Sequence, residues 1–164
     1  MRIGITGHMN LTPATVELIR AALKTELAQY DPSELVGVSC LAEGADSIFA
    51  QAILDAGGQL EALLPAPDYR DTRVSKAHLP TFDALVRQAH KIRYIAETSS
   101  MQVYAEANTA MIETIDILYA VWDGKPSTKT GGTADAVAAA RVESVSVRVI
   151  WPQGSIRSQP ALCT

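Results

Sequence analysis

Cysteine, aromatic residues and clustered basic charge are all scarce in this chain, and each shortage closes off a class of function. The two cysteines, Cys40 and Cys163, lack the spacing of a metal site, and His8, His78 and His90 are scattered. No metal and no disulfide framework is therefore expected, and Cys40 reads as an inert thiol after a strand, at home in a reducing cytoplasm. No run of Lys or Arg stands out and the formal net charge is −4, so nucleic acid is not expected as a partner. No apolar stretch is long enough to span a membrane. A strand pattern begins almost at the first residue, so no secretory leader is expected and the location read from the sequence is cytoplasmic. The first strand–helix turn carries neither G-x-G-x-x-G nor a P-loop, which removes the corresponding dinucleotide and ATP-hydrolysis readings. No cofactor is expected.

What is present is a globular composition, 48% apolar and 20% charged, in 164 residues, which suits one domain with a sizeable core. Apolar runs alternate with helical periodicity throughout. Strands are expected at 2–6, 35–38, 60–64, 91–95 (the weakest pattern), 117–122 and 145–151. The first helix opens at Thr12-Pro13, a cap followed by proline at the first helical position, and runs to about Tyr30 on Val16, Ile19, Leu23 and Leu27. Further helices are expected at about 46–56, 79–89 (Leu79, Phe82 and Val86 inward), 99–114 and 133–141. On the fourth of these five helices, Met101, Tyr104, Asn108, Met111 and Ile112 share the expected inner face. "PAPDYRDTR" (65–73) reads as a loop. Residues 1–152 form one domain and 153–164 a tail or short capping segment. The alternation predicts an α/β fold, a mostly parallel sheet with helices on both faces.

In such sheets ligands sit outside the carboxyl ends of the strands, where strand order switches. The expected strands place Gly7-His8, Ser39 to Asp46, Tyr69-Arg70 and Asp123-Gly124 on that edge. "WDGKPSTKTGGTADAV" (122–137) follows, with Gly131, Gly132 and Thr133 opening an alanine-rich helix. Two readings stay open for those glycines. They are ordinary loop and cap residues, or they let an anion approach the free N–H groups of a helix start. "SCLAEGAD" (39–46) is equally two-sided. Asp46 serves the helix dipole, or Gly44 admits a ligand while Glu43 and Asp46 bind ribose hydroxyls. Arg70 pairs with a phosphate and Tyr69 stacks on a base, or both sit on a solvated loop. His8 is a general base by its ordinary pKa, or a hydrogen-bonded turn residue.

Taken in order, "SCLAEGADSIFAQAIL" (39–54), "VWDG" (121–124) and "GGTADAVAAAR" (131–141) resemble the signatures of the SLOG superfamily. That superfamily groups the Lonely-Guy (LOG) cytokinin-activating enzymes with DNA-processing protein A and related nucleotide-binding domains. Gly7 matches the family's glycine after the first strand, so the resemblance spans about residues 1–152. It implies a Rossmann-like, doubly wound sheet whose glycine loops hold the phosphate and ribose of a nucleotide or nucleoside derivative. Gly44, Gly131, Gly132 and Thr133 carry over to phosphate-facing positions, Glu43, Asp46 and Asp123 to polar ones. Gly7, His8, Ser39, Ala42, Arg70 and Gly124 complete the candidate ligand-binding set. The LOG enzymes resemble P-G-G-x-G-T-x-x-E, whose glutamate assists N-glycosidic cleavage. Ala136 stands there in this chain, and Asp135 is one residue away, a turn of about 100° around the helix. Binding is thus favoured over turnover. The alternative is an N-glycosidic-bond hydrolase or transferase acting on nucleoside monophosphates, with Glu43, Asp46 or Asp123 as its catalytic carboxylate. DNA binding, by analogy with DNA-processing protein A, ranks third because of the acidic balance. The resemblance also implies a homodimer or higher homo-oligomer. The apolar surface of helix 99–114 would support one unless the tail from Pro152 covers it.

Overall fold

The structure, a computed structural model, describes residues 1–126 and 132–158. Gly131, one of the candidate residues, and Cys163 lie outside the described residues. Six parallel strands form one sheet in the order β4-β3-β2-β1-β5-β6: β1 (Arg2–Gly7), β2 (Val36–Ser39), β3 (Gln59–Leu64), β4 (Lys91–Tyr94), β5 (Ile117–Val121) and β6 (Ser146–Val149). Among the described residues six α-helices connect them: α1 (Pro13–Leu27), α2 (Ala45–Asp55), α3 (Tyr69–Arg73), α4 (Leu79–Gln88), α5 (Met101–Ile112) and α6 (Thr133–Val142).

Alternation along the strands explains the two covered faces. Ile3, Ile5, Tyr119 and Val121 meet Ile19, Leu23 and Leu27 of α1 and Phe49 and Ile53 of α2 on one side. Val38, Leu63 and Leu118 meet Met111 and Ile112 of α5 and Ala140 of α6 on the other. A third cluster, with Leu60, Ala62 and Leu64 of β3, packs Phe82 and Leu85 of α4 against Ala50 of α2. Helix α1 begins where expected, with the Thr12 hydroxyl accepting from the Thr15 backbone N–H at 3.3 Å and Pro13 at the first position. Ile19, Leu23 and Leu27 are fully buried, each worth about 1.5–3 kcal/mol of transfer free energy.

Three expectations change. The "PAPDYRDTR" stretch contains the one-turn helix α3, and Tyr69 is buried against Phe82 and Tyr104 instead of standing free to stack on a ligand. On α4 the buried pair is Phe82 and Leu85, with Val86 only partly covered. On α5 the inner stripe is Val103, Ala107, Met111 and Ile112, while Met101 is 69% exposed. The repeat of Val103, Ala107 and Met111 at four-residue intervals sets the helix phase, which rotates Met101 outward. The apolar excess invoked for a dimer on this helix therefore reduces to Met101.

The strand order reverses direction between β1 and β5. From β1 the chain winds outward through β2, β3 and β4, then returns to place β5 on the other side of β1. The crevice at the carboxyl ends of β1 and β5 is the position where doubly wound sheets hold ligands. Among the described residues no helix is long and apolar enough to cross a membrane.

Candidate functional site

Residues following β1, β2 and β5 converge at this switch point. The His8 backbone N–H donates to the Val121 carbonyl at 3.0 Å, locking the β1 turn to the end of β5. The His8 side chain meets Asp123: Nε2 lies 3.0 Å from the carboxylate Oδ1 and 3.2 Å from the Asp123 backbone nitrogen. In a neutral ring only one of these is a hydrogen bond. Either Nε2–H donates to the carboxylate, or the bare nitrogen accepts from the amide. Both side chains are 9% exposed. Burial holds the His8 pKa below its usual range, the bond to Asp123 opposing and the nearby Arg157 charge assisting, so the ring is neutral at pH 7. Burial pushes the Asp123 carboxyl up, but the Lys125 backbone N–H, His8 and Arg157 together more than offset it and hold the pKa below the usual value.

The loop after β2 is built around its own polar groups. Asp46, in the first turn of α2, is 9% exposed and accepts from the backbone N–H groups of Ala42 and Cys40. Ser39 is buried, its hydroxyl 3.2 Å from the Asp46 carbonyl and accepting from the Leu41 N–H at 3.0 Å. Ser47 donates to the Ala42 carbonyl at 2.6 Å, and His78, from the start of α4, places Nε2 3.0 Å from the Ser47 hydroxyl and 3.1 Å from the Leu41 carbonyl. Leu41 takes a left-handed φ of 57° within this net. Ser39, Ala42 and Asp46 thus hold the loop's shape from inside. Burial also raises the pKa of Cys40 far above that of a reactive thiol, as expected of an inert cysteine.

Gly44 has a packing reason the sequence hid. Its φ is 85° and ψ −125°, and a Cβ there would lie 2.6 Å from the His8 carbonyl oxygen and 2.6 Å from the Met9 Cα. The space a missing side chain leaves is filled by the β1–α1 turn, and the Ala45 N–H donates to the His8 carbonyl at 3.2 Å. Gly7 is equally enclosed, with Ala45 Cβ 2.5 Å from the position its own Cβ would take. These two glycines press the loops after β1 and β2 together.

Gly7, His8, Gly44 and Asp123 are therefore contiguous. Gly124 follows Asp123 in the left-handed region, φ 78°. Gly132 is the N-cap of α6 in extended backbone, with no side-chain capping bond, and Thr133 is the first helical residue. Ala136, at the position of the LOG-type glutamate, is buried beneath that helix. Two candidates stand apart. Glu43 is exposed and accepts from the Ser75 hydroxyl at 3.1 Å. Arg70 makes a two-pronged pair with Asp83, both bonds 2.7 Å, and a third bond to Asp71 at 2.8 Å, so its guanidinium is already occupied.

Sequence reading missed the contribution of the carboxyl-terminal segment. Residues 152–158 leave β6 and cross to the β1–α1 turn. The Thr15 hydroxyl donates to the Ile156 carbonyl at 2.9 Å and accepts its N–H at 2.7 Å. Asn10 exchanges bonds with Ser158, and Leu11 pairs with Arg157 in an antiparallel bridge. This strap brings Arg157 to 3.6 Å from Asp123, while the Trp151 ring meets His8 edge-on, centroids 5.5 Å apart. Nothing local in "PQGSIRS" signals such a path. A larger cleft, about 670 Å³ and floored by Leu27, Ala28, Tyr30 and Ala52, opens at the C-terminal ends of α1 and α2. Helices antiparallel to their strands put that cleft on the opposite edge of the sheet, away from the switch point.

No protein-family model and no curated sequence matches the chain. Solved structures do. DNA processing protein A from Streptococcus pneumoniae superposes with a TM-score of 0.68 at 18% identity over 90% of this chain, which spans 49% of that protein. DNA processing protein A from Helicobacter pylori, described as having a unique single-stranded DNA binding mode, gives 0.69 at 19% identity, covering 97% of this chain and 68% of that one. The Moco carrier protein from Chlamydomonas reinhardtii gives 0.58 at 18% identity, covering 93% and 77%. The Helicobacter protein overturns the expectation that nucleic acid is an unlikely partner, because a protein of the same fold binds single-stranded DNA. Net charge is a whole-chain sum, whereas strand binding depends on where individual cations and stacking groups lie. The fold of this chain is the Rossmann-like α/β fold of DNA processing protein A, a member of the SLOG superfamily whose motifs its sequence resembles.

Proposed function

We propose that this protein binds a nucleotide or nucleoside derivative in the crevice between the ends of β1 and β5. The observation that carries the reading is the convergence at the switch point of the His8–Asp123 pair and the Gly44 loop, with Gly132-Thr133 opening the helix that follows β5. Gly132 brings no capping side chain to the start of α6, and the Thr133 and Ala134 N–H groups have no hydrogen-bond partner among the described residues, which suits a phosphate there. Gly132→Asp places a carboxylate at that helix start and is expected to abolish binding of nucleoside monophosphates while leaving the melting temperature near that of the parent. Calorimetry on the folded variant checks this, and unchanged affinity would remove the phosphate from α6.

The fold shared with a single-stranded-DNA-binding protein favours a second form, in which the bound nucleotide is one unit of a strand. Fluorescence anisotropy with a labelled oligothymidylate separates the two. Strand binding lost in Gly132→Asp supports the second form, and no binding by the parent protein leaves the free nucleotide.

Turnover is not part of the reading. Glu43 is bonded to Ser75, Asp46 is directed into its own loop, and Asp123 is held by His8 and Arg157. A panel of nucleoside monophosphates is expected to release little free base. Release at enzymatic rates that disappears in Asp123→Asn would replace the binder with a glycosidase. Assembly as a homodimer or larger homo-oligomer remains in the proposal. The exposed apolar groups available to an interface include Ile92 and Tyr94 on β4 and Met101. Light scattering that returns the monomer mass would delete it.

A further inference from the structure

The strap roofs a pocket of about 370 Å³ lined by Asp123, Lys125, Trp151, Ser155, Ile156 and Arg157. The candidate set drawn from sequence included only the first of these. Formal charges here sum to one positive: Lys125 and Arg157 against Asp123, with His8 behind it neutral. Arg157 and Lys125 keep donors free. Arg157 Nε bonds the Asn10 side chain at 3.3 Å and Nη1 pairs with the Asp123 carboxylate at 3.6 Å, which leaves Nη2 free among the described residues, while Lys125 forms no ion pair among them. A second observation is independent of charge. The Ser155 Oγ is buried and has no hydrogen-bond partner among the described residues. A buried hydroxyl without a partner is uncommon and costs stability unless something else satisfies it. Ser155 is among the residues lining the pocket that holds the two cations, and rotation about its Cα–Cβ bond would turn the hydroxyl toward them.

We propose that this pocket is an oxyanion subsite that takes a phosphate group. The Arg157 guanidinium and Lys125 ammonium bind it, the Ser155 hydroxyl donates a third bond, and Trp151 forms one wall. The guanidinium fork suits a phosphate's oxygens, and charge-assisted bonds of this kind are about twice as strong as neutral ones. The subsite exists only while the strap is docked, because Ser155, Ile156 and Arg157 all come from it. It deepens the nucleotide reading and rests on that reading for the identity of the ligand, though not for the phosphate subsite itself. A bound phosphate also screens the Arg157 charge that helps keep His8 neutral. The His8 ring should therefore titrate at higher pH when phosphate is present.

The test uses the full chain, inorganic phosphate and adenosine monophosphate as separate probes, and phosphorus NMR with calorimetry. The parent protein is expected to bind both. Arg157→Gln should weaken inorganic phosphate about 10-fold to 100-fold, the loss typical of a charged hydrogen bond, while Arg157→Lys retains most of the affinity. Lys125→Gln, which leaves every strap bond in place, should weaken it in the same direction. Gly132→Asp should leave inorganic phosphate binding intact, which separates this subsite from the helix start of α6. The proton NMR titration of His8 should move up with phosphate in the parent protein and not in Arg157→Gln. The proposal is overturned if the parent protein does not bind inorganic phosphate, or if folded Arg157→Gln and Lys125→Gln bind it as the parent does. Loss of that binding in Gly132→Asp alone would likewise overturn it, by placing the phosphate at α6. Adenosine monophosphate has a single phosphate, assigned to the start of α6, so its affinity should survive Arg157→Gln, and a loss there as large as that of inorganic phosphate would overturn the separation of the two subsites.

Discussion

Gly44→Ala is expected to destabilise the protein by about 2–6 kcal/mol, the sum of about 1–3 for a backbone conformation reserved for glycine and about 1–3 for overpacking. The new methyl group would meet backbone, the His8 carbonyl and Met9 Cα both at 2.6 Å, and backbone cannot swing aside as a long side chain can. Relief requires the β1–α1 turn to move, which pulls His8 away from Asp123. Urea unfolding should show the midpoint falling sharply, and the folded fraction should bind nucleotide weakly. Gly124→Ala supplies the control, since Gly124 has a similar φ of 78° but no atom within 4 Å of its Cβ position. It should lose only the conformational part. Equal losses in the two variants would show that loop contact at Gly44 contributes nothing.

The second large effect is on the pH dependence of stability. Burial pushes the Asp46 carboxyl up to about 7 from 3.8, against the bonds it accepts from Ala42, Cys40 and Ser39. A carboxyl with a raised pKa in the fold holds a proton that the unfolded chain has already released. Its contribution is therefore fully present below about pH 4, declines as pH rises, and is gone above about pH 7. At 1.36 kcal/mol per unit the span is about 4 kcal/mol. Asp46→Asn carries no charge and should lack this decline. The difference in unfolding free energy between variant and parent should thus shift in the variant's favour by several kcal/mol between pH 4 and pH 8. A difference that stays flat would mean that Asp46 ionises in the fold as it does in the unfolded chain.

Local signals were legible, and tertiary ones were not. Thr12-Pro13 announced the start of α1 because a cap and a proline act on their own backbone. The alternation of strands and helices was enough for the parallel sheet, and the order of glycine-bearing turns for the carboxyl edge. The phase of α5 was misread because Met101 and Tyr104 satisfy helical spacing as well as Val103 and Ala107 do, and only the sheet beneath decides between them. Tyr69 and Arg70 looked like ligand contacts in a loop, yet Tyr69 packs on Phe82 and Arg70 pairs with Asp83, partners supplied by a later helix. Gly44 looked like an opening for a ligand, but the backbone it admits is that of His8 and Met9. Arg157 reaches Asp123 only through the path of the strap, which no spacing encodes. The acidic balance misled about nucleic acid for the same reason, since it carries no information about position.

The pairing of Ile3 with Ile117 bears on how the chain reaches this structure. Strands β1 to β4 assemble by successive crossovers between neighbours in sequence, whereas β5 must find β1 after most of the chain has intervened. Closure over such a separation is slow, and until it happens β1 presents an open apolar edge. The β1–β5 seam is therefore expected to close late, and β1 is the segment through which a partly folded chain would associate with another. Substitutions that weaken the β1–β5 seam should slow refolding and raise losses to aggregation, and at Gly7, where a Cβ would lie 2.7 Å from Val121 Cβ and 2.5 Å from Ala45 Cβ, they should destabilise the finished protein as well.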